Sequence, residues 1–165
     1  MKKTPILLSA LFSLFLGGHA LAQEPVVGVA DEALFTDDDP VKHRNKQAAL
    51  HIMRELLQCN YWDRAGEWLT DRYIQHNPNA ESGLQGVVDF FTAFREPSPT
   101  CEELTTPIVA VIAEEDLVTV VLPRTYQHPV TGEDYTTTWF DMWRFVDGKA
   151  DEHWDPATVS PPAGN

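Results

Sequence analysis

Basic residues are scarce in this 165-residue chain: 12 Lys and Arg stand against 25 Asp and Glu, a formal net charge of −13. Such a surface repels nucleic-acid phosphates and anionic lipid, which are gripped by clustered cations, so no nucleic-acid partner is expected. Cysteine is nearly absent as well. Cys59 and Cys101 form no C-x-x-C pair and lie far in sequence from the histidines, which argues against a redox motif or structural zinc. A bridge between them and two buried free thiols both stay open, because spacing does not show whether the Cα atoms come within bridging distance. The chain has no internal repeat and no low-complexity tract.

No apolar run is long enough to span a bilayer. The longest, PILLSALFSLFLGG, follows a basic MKK and precedes ALA before Gln23. That is the layout of a secretory signal peptide (1–22), with the cut after Ala22. No cysteine follows the cut, so a lipid anchor is not expected. The implied address is periplasmic or secreted, without membrane association after cleavage. Removing 22 of 165 residues leaves 143, and losing Lys2 and Lys3 lowers Lys+Arg from 12 to 10 for a net of about −15. A chain of that size suits one domain with a single core.

Residues 23–39 lack periodicity and are expected to form an acidic, flexible lead-in. Asp39 then offers an N-cap with Pro40 at the first helical position. Ala49, Ile52, Met53, Leu56 and Leu57 recur at helical spacing, which predicts a helix over 40–58. A short second helix is expected over Asp63–Leu69, followed by an extended RYIQHNP. Ser82 and Gln85 have capping-box spacing ahead of a third helix whose apolar face is Val87, Phe90, Phe91 and Phe94, read as core packing. From Thr106 the pattern turns to strands: PIVAVIA, LVTVVLPRTYQ, DYTTTWFDMWRF and KADEHWD, separated by turn signals. PATVSPPAGN ends the chain as a Pro-rich tail. Helices first and an antiparallel meander afterwards indicate an α+β fold with helices on one face of the sheet.

The last hairpin admits two registers. A two-residue Asp147-Gly148 loop pairs Val146 with Lys149 and sets Met142 opposite His153; turn statistics favour it. A three-residue loop pairs Phe145 with Lys149, Asp141 with His153, Trp139 with Asp155 and Trp143 with Asp151. It leaves Phe140, Met142, Ala150 and Trp154 on the other side, where they could pack in the core or build a homodimer through the sheet.

YIQHNPN (73–79), the apolar helix after Gly83, AEEDLV (113–118) and DMWRFVDGKADEHWD (141–155) resemble the SnoaL-like group. These are polyketide-cyclase relatives with the cone-shaped α+β barrel of nuclear transport factor 2. The resemblance runs from about residue 40 to 156 and is nearest to the branch predicted to catalyse aldol condensation. It implies helices packed on a curved antiparallel sheet, a pocket between them, no cofactor and no metal. In the cyclases the aspartate matching Asp155 is the acid/base, and a histidine stands where Asp141 is here. Both positions therefore belong to one pocket, which selects the three-residue loop. The nearer branch carries a second pocket histidine at the position of Val121, and a glutamine where Thr158 stands.

The implied chemistry is cofactor-independent lyase or isomerase action, of aldol type, on a small apolar or aromatic carbonyl compound. Asp155 would take the proton, and Asp141 would hold His153 as the electrophile toward a developing oxyanion. Tyr73, Gln75, His76 and Asn77 would supply hydrogen bonds at the mouth, and Trp139 a flat wall. His76, Asp141, His153 and Asp155 could compose a two-histidine carboxylate set, but only the resemblance brings His76 near the others and it implies no metal. Each residue has a structural use too: an Asp–His pair can be a satisfied polar network, and QHNP an Asx-type turn. His43, His51 and His128 read as surface residues. The alternative function is a non-catalytic periplasmic small-molecule binding protein using the same pocket.

Protein recovered from its own periplasm should begin at Gln23, as intact-mass measurement would read; a chain retaining Met1 would contradict the export signal.

Overall fold

Asp39 starts the first helix as its position predicts. Its Oδ1 accepts hydrogen bonds from the backbone N–H groups of Val41 and Lys42 at 2.8 and 3.0 Å, with Pro40 in the first turn. The computed structural model describes residues 23–159; the signal-peptide segment 1–22 and residues 160–165 of the Pro-rich tail lie outside them. Helix α1 (Pro40–His51) continues without a break into a π-wound turn, Ile52–Gln58. The expected helix over 40–58 is therefore one rod with two windings. The wider winding leaves Ile52, Met53, Leu57 and Gln58 all on the wall of a cavity. Just beyond it, Cys59 is bonded to Cys101, with Cα atoms 5.9 Å apart and 42 residues of separation. In the chain-entropy picture that closure stabilises the fold by about 4 kcal/mol.

The second helical piece is a 3₁₀ turn, Trp62–Arg64, running into α2 (Ala65–Trp68), and RYIQ belongs to β1 (Leu69–Gln75). Helix α3 (Leu84–Thr92) starts at Gly83 with φ 90°, and the expected capping box does not form. Ser82 Oγ instead accepts from the Gln75 N–H at 3.0 Å, and Gln85 bonds to Asp89. Of the predicted apolar face, Val87 enters the core, Phe91 stacks on Trp62 with centroids 4.2 Å apart, and Phe94 is exposed.

Strands β2 (Ala110–Glu114), β3 (Leu117–Gln127), β4 (Asp134–Val146) and β5 (Lys149–Trp154) form the meander, and the sheet order is β1-β5-β4-β3-β2. The sheet is mixed, because β1 runs parallel to β5. It is also open, since β1 and β2 are its two edges. Both features correct the expected antiparallel, barrel-like closure. The core lies under α1 and includes Phe35, Ile52, Leu56, Ile108, Val118, Val120 and Trp143, all essentially inaccessible to solvent.

The β4–β5 hairpin corrects the register expected from the resemblance. Asp147 and Gly148 have φ of 49° and 82°, a two-residue primed turn, so Val146 pairs with Lys149 and Phe145 with Ala150. Asp151 is then an extra residue, and the ladder resumes with Arg144–Glu152, Trp143–His153 and Met142–Trp154. This β-bulge has a large consequence. Without it, His153 would lie opposite Met142 on the outer face; with it, His153 joins Trp143 on the inner face. Asp141 is thus not directly opposite His153 but one diagonal step away on the same side. Ala150, expected on the side of Phe140, Met142 and Trp154 where core packing was one of two uses, is buried in the core beside Leu69.

Asp151 is fixed from β1. Its Oδ1 accepts from Thr70 Oγ1 at 2.7 Å, and its carboxylate is paired with the Arg72 guanidinium. The Arg72 hydrogen bond holds the Asp151 carboxyl below the usual carboxylate range; burial opposes this, and Thr70 assists it. Because the folded-state value is lowered, the stabilisation is complete above about pH 4 and is lost as pH falls through the folded value. Asp151→Asn should therefore destabilise the protein by about 1 kcal/mol at pH 7, the exposed Arg72 keeping the figure small. The difference in urea midpoint should shrink at pH 3; an equal difference at both pH values would contradict this role.

Candidate active site

A cavity of about 340 Å³ opens between the helices and the inner face of the sheet. Ile52, Met53, Leu57, Trp62, Phe90 and Phe91 make its wall apolar on the helical side. The sheet side is polar, with Tyr73 and Gln75 from β1, Asn77 just after it, Asp141 from β4, and His153 and Asp155 at the end of β5.

His153 and Asp141 are both buried, at 6% exposure each. The ring's Nδ1 lies 2.7 Å from Gln75 Oε1, and its Nε2 lies 3.2 Å from Asp141 Oδ1. Gln75 Oε1 also accepts from the backbone N–H of Asn77 at 3.0 Å. A backbone N–H can only donate, so the Gln75 amide presents oxygen, and Nδ1 of His153 must carry the hydrogen. On the other side Nε2 faces Asp141 Oδ1 at 3.2 Å, so any hydrogen that Nε2 carries points at that carboxylate. The Trp139 indole N–H donates to the same Asp141 oxygen at 3.2 Å. Trp139 is therefore an anchor for Asp141 as well as a wall of the cavity.

Asp155 is held at the strand end. Its Oδ2 accepts from Asn77 Nδ2 at 2.8 Å, and its Oδ1 from the Ala157 N–H at 2.9 Å. Asn77 is itself locked, its Oδ1 accepting from the Asn79 N–H at 2.9 Å, the Asx turn expected of QHNP. Ligand-capable atoms of Asp141, His153 and Asp155 all fall within 4.8 Å of one another, so the three act on one point. Tyr73 lies beneath, its hydroxyl accepting the Trp143 indole N–H at 3.1 Å. Burial pushes the Tyr73 phenol well above its ordinary value, against the Trp143 hydrogen bond, and the charges of Asp141 and Asp155 add to the effect. It therefore stays a neutral O–H whose own hydrogen is directed to no described residue.

His76 does not belong to this site. It stacks on Trp154 at 5.2 Å and bonds Glu152 at 2.9 Å on the outer face of the sheet. Strand alternation accounts for it: Tyr73, Gln75 and Asn77 face inward, and the residue between the last two faces out. The two-histidine metal set accordingly does not assemble. Val121 also lies away from the cavity, paired with the outward Phe140; the cavity-facing residues of β3 are Leu122 and Arg124. Arg124 was not anticipated from the sequence, although its two-residue spacing from Leu122 is a usable signal.

A family model for the SnoaL-like domain matches residues 53–153, more than half of the chain. The chain belongs to the SnoaL-like family. Two solved structures show the fold these proteins share. A candidate SnoaL-like polyketide cyclase from Jannaschia sp. CCS1 is 21% identical with a TM-score of 0.52, covering 73% of this chain and 91% of its own. A candidate polyketide cyclase from Acidithiobacillus ferrooxidans is 17% identical with a TM-score of 0.50, covering 68% and 86% respectively. No curated protein sequence matches the chain. At these identities the SnoaL-like likeness speaks for the fold and not for the substrate.

Proposed function

We propose that this exported SnoaL-like protein is a cofactor-independent lyase or isomerase, of aldol type, acting on a small carbonyl compound. The observation that carries the proposal is the convergence of Asp141, His153 and Asp155 on one point of a largely apolar cavity that Tyr73 also lines. Asp155 removes a proton from the carbon next to a carbonyl, its carboxylate aimed by Asn77 and the Ala157 N–H. Charge builds on the carbonyl oxygen, where the free Tyr73 O–H and the His153 ring, oriented by Asp141, serve as donors. The enolate carbon then bonds to a second carbonyl carbon, and protonated Asp155 returns its proton to the new alkoxide. The Cys59–Cys101 bridge fits the oxidising compartment implied by the signal peptide.

One observation favours binding without turnover. Both Asp155 oxygens already accept a hydrogen bond, the arrangement of a strand-end aspartate that fixes its neighbours. Proton exchange separates the two readings. In D2O, the protein should speed deuterium incorporation at the α-carbon of 2-tetralone, followed by proton NMR. Asp155→Asn should slow that exchange about a hundredfold or more and leave the melting temperature nearly unchanged. Wild-type exchange no faster than buffer, or an unaffected Asp155→Asn variant, would leave the binding reading in its place.

A further inference from the structure

Arg124 is placed where the acid/base chemistry has no use for it. It lines the same cavity, from the β3 position that pairs with Thr137 and two residues past the inward Leu122. Its guanidinium carbon stands 5.5 Å from the centroid of the Trp139 ring, a cation–π contact that steadies the side chain. Of the other nine described lysines and arginines eight are engaged, and the ninth, Arg44, lies against Gly148 outside the cavity lining. Six of the described lysines and arginines pair with carboxylates, and Arg95 and Lys149 donate to backbone carbonyls. Arg124 does neither among the described residues, although the chain carries a net charge of −13 and two aspartates line the same cavity.

From this arrangement we infer that Arg124 anchors a carboxylate on the substrate, so that the compound is a monocarboxylic acid with an apolar, aromatic-sized body. The inference rests on the proposed carbonyl chemistry and narrows its substrate class. A guanidinium presents a planar fork of donors that matches a carboxylate in two parallel hydrogen bonds. Asp155 and Asp141 repel a second anion from the polar cluster, so the ligand's charge has one favourable end of the cavity. That fixes its direction: carboxylate at Arg124, body along Leu57, Phe90 and Phe91, and reacting carbonyl at His153 and Tyr73. The strongly acidic surface also suppresses non-specific anion uptake, so an anion preference at this site reports the local cation.

The test compares two isosteric probes, 2-naphthoate and 2-naphthamide, titrated against the full mature protein by tryptophan fluorescence at low salt. Wild-type protein should bind the carboxylate about tenfold more tightly than the amide. Arg124→Gln should bring the ratio near one by weakening 2-naphthoate alone, and Arg124→Lys should keep part of it. Equal wild-type affinities, no measurable 2-naphthoate binding, or a ratio that survives in Arg124→Gln would overturn the inference. The tetralone exchange assay, run on the same samples, keeps the two ideas apart. An Arg124-dependent preference without Asp155-dependent exchange supports the anchor and removes the catalysis; the reverse pattern removes the anchor alone.

Discussion

A single extra residue in β5 decides which side of the sheet His153 occupies. The Asp147-Gly148 turn, left-handed at both positions, sets one ladder, and on that ladder alone the imidazole would point outward beside Trp154's neighbours. Asp151 breaks the count. Its carboxylate is tied to Thr70 and Arg72 of β1, so the bulge is secured by the parallel strand that also delivers Tyr73 and Gln75. The irregular pairing of β1 with β5 and the composition of the site are therefore two views of one constraint.

From that constraint the polar cluster follows in order. Asn77 fixes the Gln75 amide, Gln75 fixes the His153 tautomer, and Trp139 and His153 both bond one oxygen of Asp141. Asn77 holds Asp155 with its other hand, so a single Asx-turned residue orients both the imidazole and the carboxylate. The apolar wall comes from a different source, the π-wound end of the first helix, whose wider turn presents Ile52, Met53 and Leu57 together. Cys59, bonded to Cys101, closes the segment directly after that turn. Family membership in the SnoaL-like group accounts for the scaffold, while these particular side chains account for what the cavity could do.

Much of this was legible in the residues. Alternation and β-branching set β3 at Leu117–Gln127, and the Asp39–Pro40 pair placed the first helix. Asp141, His153 and Asp155 were brought to one pocket by resemblance, and the structure gathers them. The register differs: turn chemistry prevails in the loop, and a bulge, which leaves no mark in the sequence pattern, restores the shared face. β1 is legible only as an extended RYIQ; its place in the sheet is hidden, because its pairing with β5 is between distant segments. His76 and Arg124 are different cases. Period-two alternation from Tyr73 and from Leu122 would have sent the first outward and the second inward, had it been applied past the clear strand cores.

The site turns on where hydrogens sit on one ring. Long-range nitrogen–proton NMR correlation of His153 reads this directly in the folded protein. A hydrogen on Nδ1, held by Gln75, should persist when Asp141 is replaced by Asn and be released in Gln75→Leu. A bare Nδ1 in the wild-type protein would contradict it, because the imidazole would then not be held by the Asn77–Gln75 hook on which the site is built.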